Sequence, residues 1–191
     1  MKRRRDGFAY SVVDLLVVLL VIFLARSIDT SDAASTAKGP VSAGNLTVQM
    51  TWDREADADV DLWCLGPDEP HAVGFSSPHG HHFDLVRDDL GRSGDPESRN
   101  MEIAFARGAP AGEYIVNAML YASHDNKLPV HVQVELIDGH NETLLHRTAE
   151  LTYPSQEITV ARFRLDDHGA LVANSVNDLY RPLYAAGGRH P

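Results

Sequence analysis

Between Phe8 and Ala25 the chain reads FAYSVVDLLVVLLVIFLA, 18 residues in which only Tyr10, Ser11 and Asp14 interrupt an apolar run. As a helix this segment spans roughly 27 Å, close to the hydrocarbon thickness of about 30 Å once Arg26 extends outward. It predicts one membrane-spanning helix over residues 8–26. Lys2, Arg3, Arg4 and Arg5 precede the run, whereas its far flank carries Arg26, Asp29 and Asp32. The positive-inside rule therefore places the stub, residues 1–7, in the cytoplasm. From residue 27 onward there are 12 basic and 25 acidic residues, a net charge of −13 against −10 for the whole chain, and this acidic body is expected outside the cytoplasm. A secretory signal peptide shares the basic start and apolar middle, but this run is long, holds a carboxylate, and is followed by Arg-Ser-Ile-Asp, a poor cleavage site.

Asp14 lies about 9 Å into the run, where an ionised carboxylate costs several kcal/mol unless it is protonated or faces a protein or water-lined interior. Tyr10 and Ser11, at i−4 and i−3, share its helical face, with Gly7 one turn further back. That polar stripe on a Leu/Val helix predicts a face turned toward a partner. Two roles are open to Asp14: carrying a proton, or holding helices together through an interhelical hydrogen bond.

The string Val13-Asp14-Leu15-Leu16-Val17-Val18-Leu19-Leu20-Val21-Ile22-Phe23-Leu24 resembles the transmembrane helix of the ExbD/TolR family, and more distantly that of the MotB stators. The resemblance implies a bacterial inner-membrane protein whose helices dimerise inside a pentamer of polytopic ExbB, TolQ or MotA-like subunits. In that arrangement the coupling ion is a proton and Asp14 takes it up and releases it. The Gly7-Phe8 junction also resembles a type IV prepilin start, but its fifth position is Val12 and the acid comes two residues late. Prepilin helices also continue past the membrane, whereas residues 27–44, SIDTSDAASTAKGPVSAG, have the composition of a linker.

After the linker the pattern changes from helical to alternating. Leu46, Val48, Met50 and Trp52 fall on one face of Asn45 to Trp52. Comparable runs follow at 59–65, 82–86, 100–106, 113–121, 130–137, 144–153 and 157–165, separated by Gly/Pro/Asp/Ser turns such as Gly66-Pro67 and Asp138-Gly139. About eight short strands without a convincing amphipathic helix predict an antiparallel β-sandwich over residues 45–168, with 169–191 as a C-terminal tail. The strings Ala58-Asp59-Val60-Asp61-Leu62-Trp63, Gly66-Pro67, Asp88-Asp89 and Ala109-Pro110-Ala111-Gly112-Glu113-Tyr114 resemble the YfaP-like family, which implies an immunoglobulin-like extracytoplasmic domain. ExbD/TolR and MotB proteins carry α/β domains instead, so the resemblance to stators ends at the helix.

Chemistry in the body concentrates at its acids. Asp57, Asp59 and Asp61 at i, i+2 and i+4 place three carboxylates on one side of a strand, and Asp88 and Asp89, with Asp95 and Glu97, belong to a loop able to approach them. A hard cation such as Ca²⁺ suits that oxygen-rich set, and the competing reading is turn-capping acids on a solvated face. His79, His81 and His82 lie in a Pro-His-Gly-His-His loop and read as solvated. Cys64, the one cysteine, reads as a half-buried thiol and excludes an intrachain disulfide. Tyr180, Leu183 and Tyr184 in the tail read either as a frayed end or as a short aromatic docking motif. No GxSxG, HExxH or P-loop is present, so no enzyme is expected, and the acidic body argues against nucleic-acid binding. The expected function is that of a single-pass subunit of a proton-motive-force-driven complex whose outer domain engages a target. The alternative is a membrane-anchored protein- or glycan-binding module in which Asp14 is only structural.

Overall fold

The computed structural model describes residues 46–91 and 99–184, all within the second of the two units, 1–41 and 42–191, into which the chain divides. Tyr10, Ser11 and Asp14, with the whole 8–26 segment, lie outside the described residues, as do Asp95 and Glu97. No helix among the described residues is long and apolar enough to cross a membrane.

The described chain is all-β. Its strands are β1 (Leu46–Trp52), β2 (Ala58–Leu65), β3 (Phe83–Arg87), β4 (Met101–Ala106), β5 (Gly112–Ser123), β6 (Val130–Asp138), β7 (Thr143–Leu151) and β8 (Glu157–Leu165), each within two residues of the alternation read from sequence. They form a five-stranded sheet in the order β3-β4-β1-β6-β7 and a three-stranded sheet in the order β2-β5-β8, with every pairing antiparallel. The inward faces of both sheets contribute to one hydrophobic core: Leu46, Val48, Met50 and Trp52 from β1 meet Val60, Leu62 and Cys64 from β2, and Val116, Ala118 and Leu120 from β5. This is consistent with the expected β-sandwich. Period-two alternation puts the fully buried Leu46, Val48 and Met50 on one side of β1, with Thr47, Gln49 and Thr51 half-buried on the other.

The outer face of the three-stranded sheet is covered as well. Trp63, fully buried, points away from the main core and packs with Ala72, Ile115, Met119 and Leu183. Gly74 lies flat against its ring; a Cβ there would come within 2.6 Å of the indole, so only glycine allows this approach. The tail segment 171–184 is docked rather than frayed. Bridges join Leu171 to Leu165 and Asn177 to Arg162, and Glu157 accepts the backbone N–H groups of Leu183 (2.8 Å) and Tyr184 (3.0 Å). Cys64, read from sequence as half-buried, is fully buried among core side chains, and burial pushes its thiol pKa up strongly.

Near the start of β5 the Tyr114 hydroxyl donates to the Pro110 carbonyl at 2.8 Å, pinning the turn that leads into the strand. The ring stacks on Phe163 at 5.3 Å between centroids. Tyr114→Phe keeps the ring contacts and loses only the hydrogen bond, so a loss of about 1 kcal/mol is expected. A thermal melt should show a Tm lower by roughly 3–5 °C. An unchanged Tm would mean that the turn holds without the hydroxyl.

Candidate functional site

Three carboxylates from separate parts of the chain converge on one another. Asp61 lies on β2, Asp88 directly follows β3, and Glu102 lies on β4; one carboxylate oxygen from each is within 4.8 Å of the others. Asp61 and Glu102 are buried, at 4% and 0% exposure, while Asp88 is exposed, so the cluster opens to solvent on the Asp88 side.

The convergence occurs at the edge of β2, an outer strand of the three-stranded sheet, which Glu102 reaches from the larger sheet. On β2 the alternate residues Ala58, Val60, Leu62 and Cys64 enter the main core, which turns Asp59 and Asp61 onto the opposite face together with Trp63. Asp59 is also buried, at 8% exposure. On β4 the core-facing residues are Glu102, Ala104 and Ala106, paired across to Met50, Val48 and Leu46. Glu102 thus enters the space between the sheets, where its Oε2 accepts the backbone N–H of Leu62 at 2.6 Å. Its Oε1 accepts the N–H of Asp89 at 3.4 Å. One side chain of the larger sheet therefore secures both an edge strand of the smaller sheet and the loop after β3.

The five acids singled out from sequence separate into different roles. Asp61 and Asp88 join the cluster, and Asp59 lies two residues from Asp61 on the same face. Asp57 precedes β2 rather than continuing it: its N–H donates to Asp125 Oδ2 at 3.1 Å and its carbonyl accepts from His124 at 2.7 Å. Asp89, at 1% exposure, shapes the loop, accepting from Gly91 and Met101 N–H groups at 3.0 Å each and from Arg87 at 3.3 Å. Gly91 has a φ of +77° and a Cβ there would lie 3.1 Å from the Ala58 carbonyl, so glycine fits this loop closely against β2. Glu102 was not singled out by sequence reasoning.

The electrostatics follow from burial. Burial pushes the Asp61 carboxyl up to about 8, with the neighbouring negative charges of Asp59 and Asp88 adding to the effect. Burial, then Asp88 and Asp89, raises Asp59 to about 6 against the opposing influence of His124. Burial and the nearby Asp61 raise Glu102 well above the ordinary range even though the Leu62 N–H favours its anion. Asp59 Oδ1 and Asp61 Oδ2 are buried and find no hydrogen-bond partner among the described residues. The contrast with Asp84 is instructive. That acid, equally buried, is paired with Arg107 and with His79 Nδ1 at 3.0 Å.

The histidine loop serves a different purpose. Glu69 accepts the backbone N–H groups of His81 (2.7 Å), His82 (2.7 Å) and Phe83 (2.9 Å), so the tract is fastened by its main chain. Burial raises the Glu69 carboxyl, but these three bonds outweigh it and the pKa is lowered. No histidine joins the three-carboxylate group.

A groove of about 890 Å³ is lined partly by the docked tail, with Tyr121, Tyr153, Tyr180, Tyr184 and Glu157 among its lining residues. All four tyrosines are exposed, and the Tyr180 hydroxyl donates to Glu157 at 3.1 Å. Compared with known proteins, the chain matches no protein-family model, no curated sequence and no solved structure.

Proposed function

We propose that this chain is a single-pass subunit of a proton-motive-force-driven membrane complex, in which Asp14 carries protons and an immunoglobulin-like domain on the far side of the membrane engages a target. The observation that carries this reading is the single acid within the Phe8–Ala25 run, sharing a face with Tyr10 and Ser11 behind the basic cluster Lys2–Arg5. The expected partner is a polytopic subunit of the ExbB, TolQ or MotA kind, assembled as a pentamer around a dimer of this chain. The outer domain fits a binding role. It is all-β, its tyrosine hydroxyl bonds back four residues as in the tyrosine corner of immunoglobulin-like folds, and its exposed tyrosines offer a recognition surface.

A second reading, a membrane-anchored module that binds protein or glycan with Asp14 only structural, is favoured by the tyrosine-walled groove.

Asp14→Asn separates the two, since the amide preserves size and hydrogen bonding but cannot ionise. The full chain, purified in mild detergent, is expected to bring a multi-span partner with it. Co-expression with that partner should acidify the cytoplasm of energised cells. The variant should retain the partner and lose at least tenfold of the proton flux. Equal flux from both forms, or a chain that purifies alone, would leave the anchored binding module as the better account.

A further inference from the structure

We propose that Asp61, Asp88 and Glu102 form a binding site for one hard divalent cation of the Ca²⁺ class, which ties the edge of the three-stranded sheet to the β3–β4 end of the five-stranded sheet. The distances fit a shared ion. Oxygen ligands at 2.3–2.6 Å from Ca²⁺ can be separated by up to about 5 Å, and the three carboxylate oxygens are all within 4.8 Å of one another. The donor set is oxygen only, without histidine or cysteine, which suits a hard cation rather than Zn²⁺ or Cu²⁺.

A second, independent observation points into the same place. Asp61, 4% exposed, keeps its Oδ2 buried without a donor among the described residues, and its neighbour Asp59, 8% exposed, does the same with Oδ1. Buried polar atoms in folded proteins are otherwise nearly always partnered. The other buried acids here obey that rule: Asp84 pairs with Arg107, and Asp89 is held by two N–H groups and Arg87. Among the buried acids, then, the oxygens without a hydrogen-bond partner among the described residues lie on Asp61, a member of the cluster, and on Asp59 beside it.

The first ligand is also oriented before any ion arrives. Leu62 N–H fixes one oxygen of Glu102, and Asp89, itself anchored through Gly91 and Met101, contacts the other through its own N–H. Asp88, on the open side, supplies the exposed ligand through which an ion enters and at which water completes the coordination.

The experiment uses the full chain in mild detergent, stripped with chelator and melted with and without 5 mM Ca²⁺, alongside Zn²⁺ and matched ionic strength with Na⁺. Ca²⁺ is expected to raise Tm by about 5 °C or more, with a smaller response to Na⁺ or Zn²⁺. Glu102→Gln and Asp61→Asn should each remove the Ca²⁺ response. Asp88→Asn, at the exposed ligand, provides the same readout in a variant whose core is untouched. Asp167→Asn, an exposed acid on the loop after β8, should keep the full response. No Ca²⁺ shift in the natural chain, a shift surviving in Asp88→Asn, or a response to Zn²⁺ alone would overturn the proposal.

Discussion

Trp63→Ala is expected to destabilise the β domain by about 3–5 kcal/mol, the range for removing a large aromatic from a closed site. For a body of this size that corresponds to a fall in Tm of about 10 °C or more. The magnitude comes from where the ring lies. It is fully buried on the outer face of the three-stranded sheet, meeting Phe75 and Tyr184 edge to face at 5.6 Å each, with Gly74 against its plane and Leu183 packed beside it. The loop after β2 and the docked tail converge on this one side chain, so its loss should release both. Hydrogen exchange provides the specific readout: the N–H groups of Leu183 and Tyr184, bonded to Glu157, should lose protection in Trp63→Ala well before those of β1 and β6. Trp63→Phe should recover most of the stability, because the indole Nε1 has no hydrogen-bond partner among the described residues and the ring contributes through its area alone. Protection at 183–184 that is unaffected by Trp63→Ala would show that Glu157, Asn117 and Thr159 hold the tail by hydrogen bonds without the aromatic cluster.

The strands were legible in the sequence because one-sided burial leaves a period-two record. Leu46, Val48, Met50 and Trp52 name both the strand and its inward face, and the Asp-x-Asp spacing correctly places Asp59 and Asp61 together on the face opposite Val60 and Leu62. Glu102 was illegible for the same reason. In Met101-Glu102-Ile103-Ala104-Phe105-Ala106 the larger apolar side chains alternate at 101, 103 and 105, so the acid reads as solvent-facing. The structure turns the strand the other way, with Ala104 and Ala106 opposite Val48 and Leu46 and Glu102 opposite Met50. The available signal was the small residues at 104 and 106, which fit the tight space between sheets, but their use depends on which strands pair. Asp57 misled in the opposite sense: the i, i+2, i+4 pattern assumed an unbroken strand, whereas β2 begins at Ala58. What decided between a docked and a frayed tail was also hidden, since docking depends on a tryptophan more than 100 residues away leaving an apolar surface on a sheet's outer face.

Kept free of divalent cations by chelator, the protein should lose stability as pH rises from 5 to 8.5, the reverse of what salt-bridged carboxylates produce. Asp59 and Asp61 have folded-state pKa values raised to about 6 and about 8, chiefly by burial, above the ordinary aspartate value that the unfolded chain recovers. Across that window the folded state binds more protons than the unfolded state, so the unfolding free energy falls with pH until both groups are ionised. The facing charges mostly reinforce burial: Asp88 disfavours ionisation of both, Asp89 that of Asp59 and Asp59 that of Asp61, while His124 opposes them at Asp59. At about 1.4 kcal/mol per unit, the three units between pH 5 and the Asp61 value of about 8 alone correspond to a loss of order 4 kcal/mol, visible as a Tm about 10 °C lower at pH 8.5 than at pH 5. Below pH 4 the trend should turn over, because backbone N–H groups hold Asp125, Asp138 and Asp166 below the usual carboxylate range, and their contribution is lost as they protonate. Asp61→Asn should remove the larger part of the alkaline limb, leaving the share of Asp59 and Glu102, without altering the acid one. Melts at constant ionic strength between pH 3.5 and 8.5 decide the matter. A Tm that rises steadily from pH 5 to 8.5 in chelator would mean that these buried acids are charged and paired in the folded state.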